Sequence, residues 1–189
     1  MEKNVRRCFW ANSKNPLYIA YHDDEWGVPC HDDRMLFEML ILEGFQAGLS
    51  WECVLNKREA FREAFDNFEV RLIAKYGESK LTQLAHNPDI IRNKLKISST
   101  VANANAFINI QEEYGSFDKY IWSFTNGKII YEPCGQRTTS PLSDMVSKDL
   151  KRRGMRYVGS TIIYSYLQAI GVINGHVEGC WKYKAGKQG

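Results

Sequence analysis

The chain has 189 residues, 44% hydrophobic and 25% charged, with a formal net charge of +3. That is the balance of a soluble globular protein able to bury a core, and so small a charge implicates nucleic acid only where it is clustered. Five scattered cysteines, an odd number, argue against a disulfide framework.

No apolar run follows the charged start MEKNVRRCFW, so a signal peptide is not expected. The longest apolar stretch, 162–173, carries Ser165 and Gln168 and is too short to span a bilayer. The expectation is one cytoplasmic domain over residues 1–189, monomeric, with no membrane partner. Terminal segments of about 1–31 and 172–189 would pack on a core of 32–171.

Residues 1–31 lack a clear period and carry turn signals at Asn12-Ser13, Asn15-Pro16, Gly27 and Pro29, with many Trp, Tyr and His among them. They read as irregular structure with short helical turns. Asp32 or Asp33 is placed to cap the helix that follows, ending near Gly48. In its sequence, MLFEMLILEGFQAGLSW, helical spacing sets Leu36, Leu40, Glu43 and Ala47 on one stripe. Glu43 is then a carboxylate on a core face, where it must be paired, protonated or turned into a cavity. Gly44 and Gly48 beside it suggest close approach of a ligand or of another backbone. The competing reading is a helix end at which Glu43 pairs with an arginine.

Ser50 caps a second helix expected to run to about Phe65, with Trp51 in its first turn. Shorter helices fit Glu69–Tyr76 and Ser79–Ala85, and Asn87-Pro88-Asp89 is a turn. A long helix from about Arg92 to Glu113 has Leu95, Val101, Ala102, Ala106, Phe107 and Ile110 on its expected buried side, and Gly115 as C-cap. Phe117–Phe124 is another short helix, and residues 128–142 form a loop with a little strand at Lys128–Tyr131. Ser143 or Asp144 caps a helix reaching Arg153, and Ser160 or Thr161 starts one ending near Gly171. The pattern is all-α.

Residues 143–171 make two amphipathic helices around a tight connection, GMRYVG. A helix N-terminus after such a turn leaves backbone N–H groups free for phosphate. Lys148, Lys151, Arg152, Arg153 and Arg156 gather around it, in positions suited to a nucleic-acid backbone. An ordinary helical turn beside a solvated basic face is the alternative. Near the C-terminus, His176 and Cys180 stand four residues apart, so one helical turn aims both at a common point. With Cys8 and His22 they complete the four N/S ligands of a closed zinc site, in preference to the adjacent Cys30 and His31. His86, beside a turn, is expected to be solvated.

The runs RCFW, NPLYIAYHDDEWGVP, LFEMLILEGFQAGLSW, Ile90-Ile91-Arg92, YIWSFTNGK and SKDLKRRGMRYVGSTIIYSYLQAIGVINGHVEGC occur in this order. Together they resemble the 3-methyladenine DNA glycosylase I family of the helix-hairpin-helix glycosylase superfamily, over nearly the whole chain. The resemblance implies an all-α helix-hairpin-helix glycosylase fold with a structural Zn2+, one per chain, on Cys8, His22, His176 and Cys180. It implies a base pocket at Glu43, Tyr21 and Trp51, with Trp10 nearby. The hairpin would grip DNA through Gly154, Arg156, Val158, Gly159 and Ser160. The implied activity is base-excision repair: 3-methyladenine is flipped out of alkylated double-stranded DNA, hydrolysed off and released as the free base. Aromatic faces would attract the cationic nucleotide, and an ionised Glu43 would accept from the exocyclic amine of adenine.

Many superfamily members carry a catalytic Asp after the second hairpin helix. Here no Asp follows Asp149; Asn174 stands in that region and Glu178 is its only acid. The nucleophilic lysine of bifunctional members is absent too, since Ser160 and Thr161 follow Gly159. The expectation is hydrolysis by water without strand cleavage, with Glu43 recognising the base. Leu49, between the two pocket helices, is the candidate wedge for the gap left in the duplex. The alternatives are a non-catalytic helix-hairpin-helix damage sensor and a zinc-stabilised enzyme acting on a free nucleoside.

Overall fold

The computed structural model describes residues 5–135 and 137–184, so the outermost parts of the expected terminal segments, 1–4 and 185–189, lie outside the described residues. After α1 (Pro16–Ala20), the helix α2 (Asp33–Gln46) runs through the middle of the molecule. Asp32 caps it, accepting from the Met35 N–H at 2.8 Å. Asp33 does a different job: its carboxylate accepts from the Phe117 and Asp118 N–H groups at 2.9 and 2.8 Å. It thereby docks the N-terminus of α8 (Phe117–Ser123) onto the start of α2.

A single buried stripe is not what the structure shows for α2. Every residue from Leu36 to Phe45 is buried, because α3 (Trp51–Leu55), α7 (Lys94–Tyr114), α8 and α10 (Ser160–Ala169) enclose it on all sides. Phe37 packs edge-on against Phe107, and Phe45 against Phe61 and Phe65. Two carboxylates are therefore buried on this helix, and they meet opposite fates. Glu38 is paired: Arg58 Nε donates to it at 2.6 Å and Arg62 Nε at 3.0 Å, while Arg58 also reaches Glu25. Glu43, one and a half turns on, has no such partner.

The expected helix from Ser50 to Phe65 is broken at Asn56–Lys57 into α3 and α4 (Arg58–Ala64). The break is held by Asn15, whose amide reaches Asn56 at 2.9 Å, and by Lys57 Nζ on the Asp89 carbonyl. After α5 (Val70–Ile73) and α6 (Glu78–His86), which pack on α7, comes the clearest error in the expected core. Leu95 is 71% exposed, while its neighbour Lys96 is buried and donates to the Phe45 and Ala47 carbonyls at 2.9 and 2.6 Å. Bare carbonyls at a helix C-terminus need donors, so the first turn of α7 turns its lysine inward. Val101 and Ala102 are half-buried; Ala106, Phe107 and Ile110 are buried.

The helix α9 (Pro141–Arg152) starts earlier than expected: Ser140 caps it in a reciprocal box with Ser143, and Pro141 occupies its first position. It packs on α10 across the short connection 153–159. The expected strand near Lys128–Tyr131 exists as β1 (Ile130–Tyr131), and its partner, unforeseen, is β2 (Ile173–Asn174), in a parallel register of Ile130 with Ile173. The bridge extends through the Cys134 N–H to the Gly175 carbonyl at 2.8 Å. Among the described residues, no helix is long and apolar enough to cross a membrane.

Removing Arg58 leaves Glu38 and Glu25 short of a counter-charge, Glu38 in a fully enclosed position. Arg58→Ala is expected to lower the unfolding free energy by about 3 kcal/mol, read from urea denaturation. A loss below about 1 kcal/mol would show that Arg62 alone satisfies Glu38.

Candidate active site and metal centre

Asn15 caps α1, accepting from the Leu17 and Tyr18 N–H groups. The helix then widens into one π-helical turn, Tyr21–Glu25, closed by the Trp26 N–H on the Tyr21 carbonyl at 2.9 Å. Consecutive residues of this turn serve two different places. Tyr21 lines a cavity of about 230 Å³, whereas His22 joins a cluster of sulfur and nitrogen atoms behind it.

The cavity is walled by Trp10, Tyr18, Tyr21, Trp26 and Trp51, with Phe9 and Gly135 among its lining. The rings hold one another: Trp10 meets Trp26 edge-on at 4.7 Å, and Tyr21 meets Trp51 at 5.1 Å. Glu43 and Gln46 enter from α2, and Ser165 and Gln168 from α10. Three of the lining residues carry a buried polar atom without a hydrogen-bond partner among the described residues: Glu43 Oε2, Trp51 Nε1 and Gln168 Nε2. Unpaired buried polar groups are costly, and three at one cavity constitute a ready-made recognition surface for a polar planar ligand.

Burial pushes the Glu43 carboxyl up to about 8, with no nearby cation to oppose it. In the free protein near neutral pH the group is mostly protonated. A cation brought into the cavity reverses that balance and draws out the carboxylate. Burial, with Glu43 as the next cause, also raises the Tyr21 phenol well above its ordinary range, so it stays a neutral donor.

The residue after Glu43 touches the other functional region. Gly44 faces Tyr157 in the α9–α10 connection, where a Cβ would lie 3.4 Å from the tyrosine Cβ. The close approach expected at Gly44 is thus to another segment of this chain. Gly48 meets nothing; it is there for its φ of +84°. The connection is held in shape by Asn103, which accepts from the Arg156 N–H at 2.8 Å and donates to its carbonyl at 3.0 Å. Ser147 Oγ donates to the Val158 carbonyl at 2.6 Å. Gly159 is the N-cap of α10 and offers no side chain to its first N–H groups.

The basic cluster is smaller than its sequence suggests. Arg153 is bound to Glu113 and Asp149, and Arg152 to Asp149, which leaves Lys148, Lys151 and Arg156 without an ion pair among the described residues. Leu49 stands 45% exposed in the loop between α2 and α3, outside the cavity lining.

Cys8, His22, His176 and Cys180 are all buried, and their ligand atoms lie within 4.8 Å of one another, a group able to hold a metal ion. Each imidazole is oriented by its other nitrogen. His22 Nδ1 lies 2.8 Å from Asp23, which Arg7 and Trp181 also bind, and His176 Nε2 lies 3.2 Å from the Trp26 carbonyl. Burial lowers both imidazole pKa values, His176 to about 4, which keeps the rings in the neutral, ligating form. Cys30 and His31 take no part; His31 bonds Asp118 and stacks on Trp122. His86 is exposed, and its Nδ1 donates to the Thr82 carbonyl of its own helix at 2.8 Å.

Trp10, Tyr21, Glu43 and Trp51 thus share one cavity. Asn174 does not reach it: its side chain accepts from the His176 N–H at 3.2 Å, and Glu178 is exposed. Sequence reasoning missed Gln168 and Ser165. The signal was their polarity inside the apolar run 162–173, which marked the cavity face of α10.

Fold and cavity define a class, a helical protein with an aromatic pocket for a flat ring, one buried acid in its wall and a basic interhelical turn beside it. The chain belongs to the methyladenine glycosylase family, whose model matches residues 10–183. It is 44% identical to DNA-3-methyladenine glycosylase 1 of Escherichia coli over 97% of this chain and 100% of that protein. A crystal structure of 3-methyladenine DNA glycosylase I superposes with a TM-score of 0.90 at 44% identity, covering 95% of this chain and 100% of that one. A tyrosine-to-phenylalanine variant of 3-methyladenine DNA glycosylase I, solved in complex with 3-methyladenine, matches with a TM-score of 0.87 at 36% identity, covering 92% and 96%.

The raised Glu43 pKa makes a stability prediction. Between its unfolded value near 4.5 and its folded value of about 8, the native state retains a proton that the unfolded chain gives up. Native stability is therefore fully present below pH 4.5 and lost as pH rises through 8. Glu43→Gln should match the native chain at pH 4 and exceed it by on the order of a few kcal/mol at pH 9. Urea denaturation across that range checks this; parallel curves would mean the carboxylate is solvated.

Proposed function

We propose that this protein is a monofunctional DNA glycosylase that removes 3-methyladenine from alkylated duplex DNA. The observation that carries the reading is the unpaired, protonation-prone Glu43 in a cavity walled by aromatic rings. A flipped N3-methylated adenine nucleotide brings a delocalised positive charge among those rings, where cation–π attraction favours it. The same charge draws Glu43 into its ionised form, and the carboxylate accepts from the exocyclic amine. Guanine presents an oxygen at that position and is repelled. Neutral adenine supplies no charge and leaves the acid protonated.

Hydrolysis then needs little assistance. Water adds to the anomeric carbon as the glycosidic electron pair returns to the cationic ring; the proton passes to solvent. The products are a neutral methylated base and an abasic sugar. Ser160 and Thr161, not the lysine of bifunctional enzymes, stand directly after Gly159, so strand cleavage is not part of the reaction. As the base becomes neutral, Glu43 loses the charge that held it ionised, which favours release.

The connection between α9 and α10 is the helix-hairpin-helix element of this reading. Val158, Gly159 and Ser160 present backbone N–H groups and Arg156 a cation to one phosphate strand, while Gly154, at a φ of +93°, makes the turn that brings them together. Gly44 ties that grip to the pocket, since it lies against Tyr157 and follows Glu43 in sequence. Leu49, exposed beside the pocket, is the wedge for the emptied base step.

Zinc is the metal best suited to the Cys2His2 cluster. Sulfur and nitrogen held at about 2.3 and 2.05 Å by one tetrahedral ion are about 3.6 Å apart. Cys8 Sγ to His176 Nδ1, Cys180 Sγ to His176 Nδ1 and Cys180 Sγ to His22 Nε2 are each 3.5 Å. Four protein ligands leave no position for water, so the ion would staple the terminal segments together and stay out of the chemistry.

Native protein is expected to release 3-methyladenine from alkylated duplex DNA without nicking, as resolved by chromatography, and Glu43→Gln to do so at least tenfold more slowly. Equal rates and equal affinity for the free base would remove Glu43 from recognition. Purified protein should carry about one zinc per chain, and Cys180→Ser should lose the metal and several degrees of thermal stability. Metal-free protein of unchanged stability would end the zinc reading.

A further inference from the structure

Five of the six aromatic rings lining the cavity are locked by ring contacts with one another, and the sixth is not. Phe9 has no ring partner among the described residues and is 75% exposed. An apolar ring left in water at the edge of a recognition cavity gains on ligand binding what it forgoes in the free protein.

Its position is fixed from both sides. The residue before it, Cys8, belongs to the metal-binding cluster and has its N–H 3.2 Å from His22 Nε2; the residue after it is Trp10, in the cavity wall. Across the mouth, the ring meets Gly135, where a Cβ would stand 3.0 Å from the Phe9 ring carbon Cζ. Gly135 has a φ of +91°, so a side chain there would be strained as well as in the way. The 133–135 loop is in turn pinned by the Cys134 N–H on the Gly175 carbonyl at 2.8 Å. A free aromatic face is thus held at the opening by a rigid N-terminal turn and a side-chain-free partner.

We propose that Phe9 is an aromatic lid of the binding site, which covers the methylated base once it has entered the cavity. The inference rests on the reading of this cavity as the 3-methyladenine pocket. A lid of this kind strengthens binding of base and nucleotide alike, so it acts on affinity and on KM more than on kcat.

The test compares native protein, Phe9→Ala and Phe9→Tyr, each checked for unchanged zinc content and thermal stability. Free 3-methyladenine is titrated by tryptophan fluorescence, and excision is timed on alkylated duplex DNA. Phe9→Ala is expected to bind the free base about tenfold more weakly and to raise KM with kcat within about twofold, and Phe9→Tyr to restore both. Unchanged affinity for the free base in Phe9→Ala would overturn the proposal. So would weaker binding of abasic duplex with free-base affinity intact, because Phe9 would then touch the strand. If native protein itself neither binds nor releases 3-methyladenine, it is the reading of the cavity that fails.

Discussion

A carboxylate held without a counter-charge in a helix buried on every side is the constraint that shapes this protein. Glu43 is as deeply enclosed as Glu38 on the same helix, yet only Glu38 is given arginines. The unpaired acid stays protonated until something positive arrives. The surrounding rings offer it no counter-charge and favour a flat cation beside it. On the proposed reading, discrimination between a methylated and an unmodified base follows from charge, with shape in support.

The rest of the fold supplies rigidity around that point. The N-terminal turn contributes most of the aromatic wall but has little regular structure of its own. It is held by the cluster of Cys8, His22, His176 and Cys180 and by the parallel bridge between β1 and β2. Trp10 lies between the two regions, meeting His22 at 5.2 Å on one side and Tyr21 at 6.5 Å on the other. A four-ligand cluster of this kind bears on the pocket through where it holds the wall.

Cavity and interhelical turn are likewise joined by single packed contacts. Gly44 lies under Tyr157, Asn103 grips the backbone of Arg156 in both directions, and buried Lys96 closes the C-terminus of α2 next to the Leu49 loop. Such an arrangement fixes the distance between the interhelical turn and the cavity, which is what the proposed grip on a phosphate strand and an extruded nucleotide would demand.

Much of this was legible in the chain itself. Helical periodicity, the caps at Asp32 and Ser50, and the four-residue spacing of His176 and Cys180 are local properties, so they survive without knowledge of the fold. An acid at helical spacing with leucines announced a buried charge at Glu43. Whether that acid would be paired could not be read, because Arg58 and Arg62 lie twenty or so residues away and only packing shows that they choose Glu38. The tertiary structure also decided that Leu95 faces water while Lys96 turns inward, since the carbonyls that bind the lysine end a different helix. It brought Glu113 from a remote helix to Arg153, where Asp149 already sits one turn before both arginines, so that among the described residues three of the five basic side chains are left without an ion pair. And it placed Gln168, Gly135 and Phe9 around one opening, from segments that are remote in sequence and share no periodicity. Local pattern determines which elements form; which side chains meet depends on long-range packing, and a recognition site is made of such meetings.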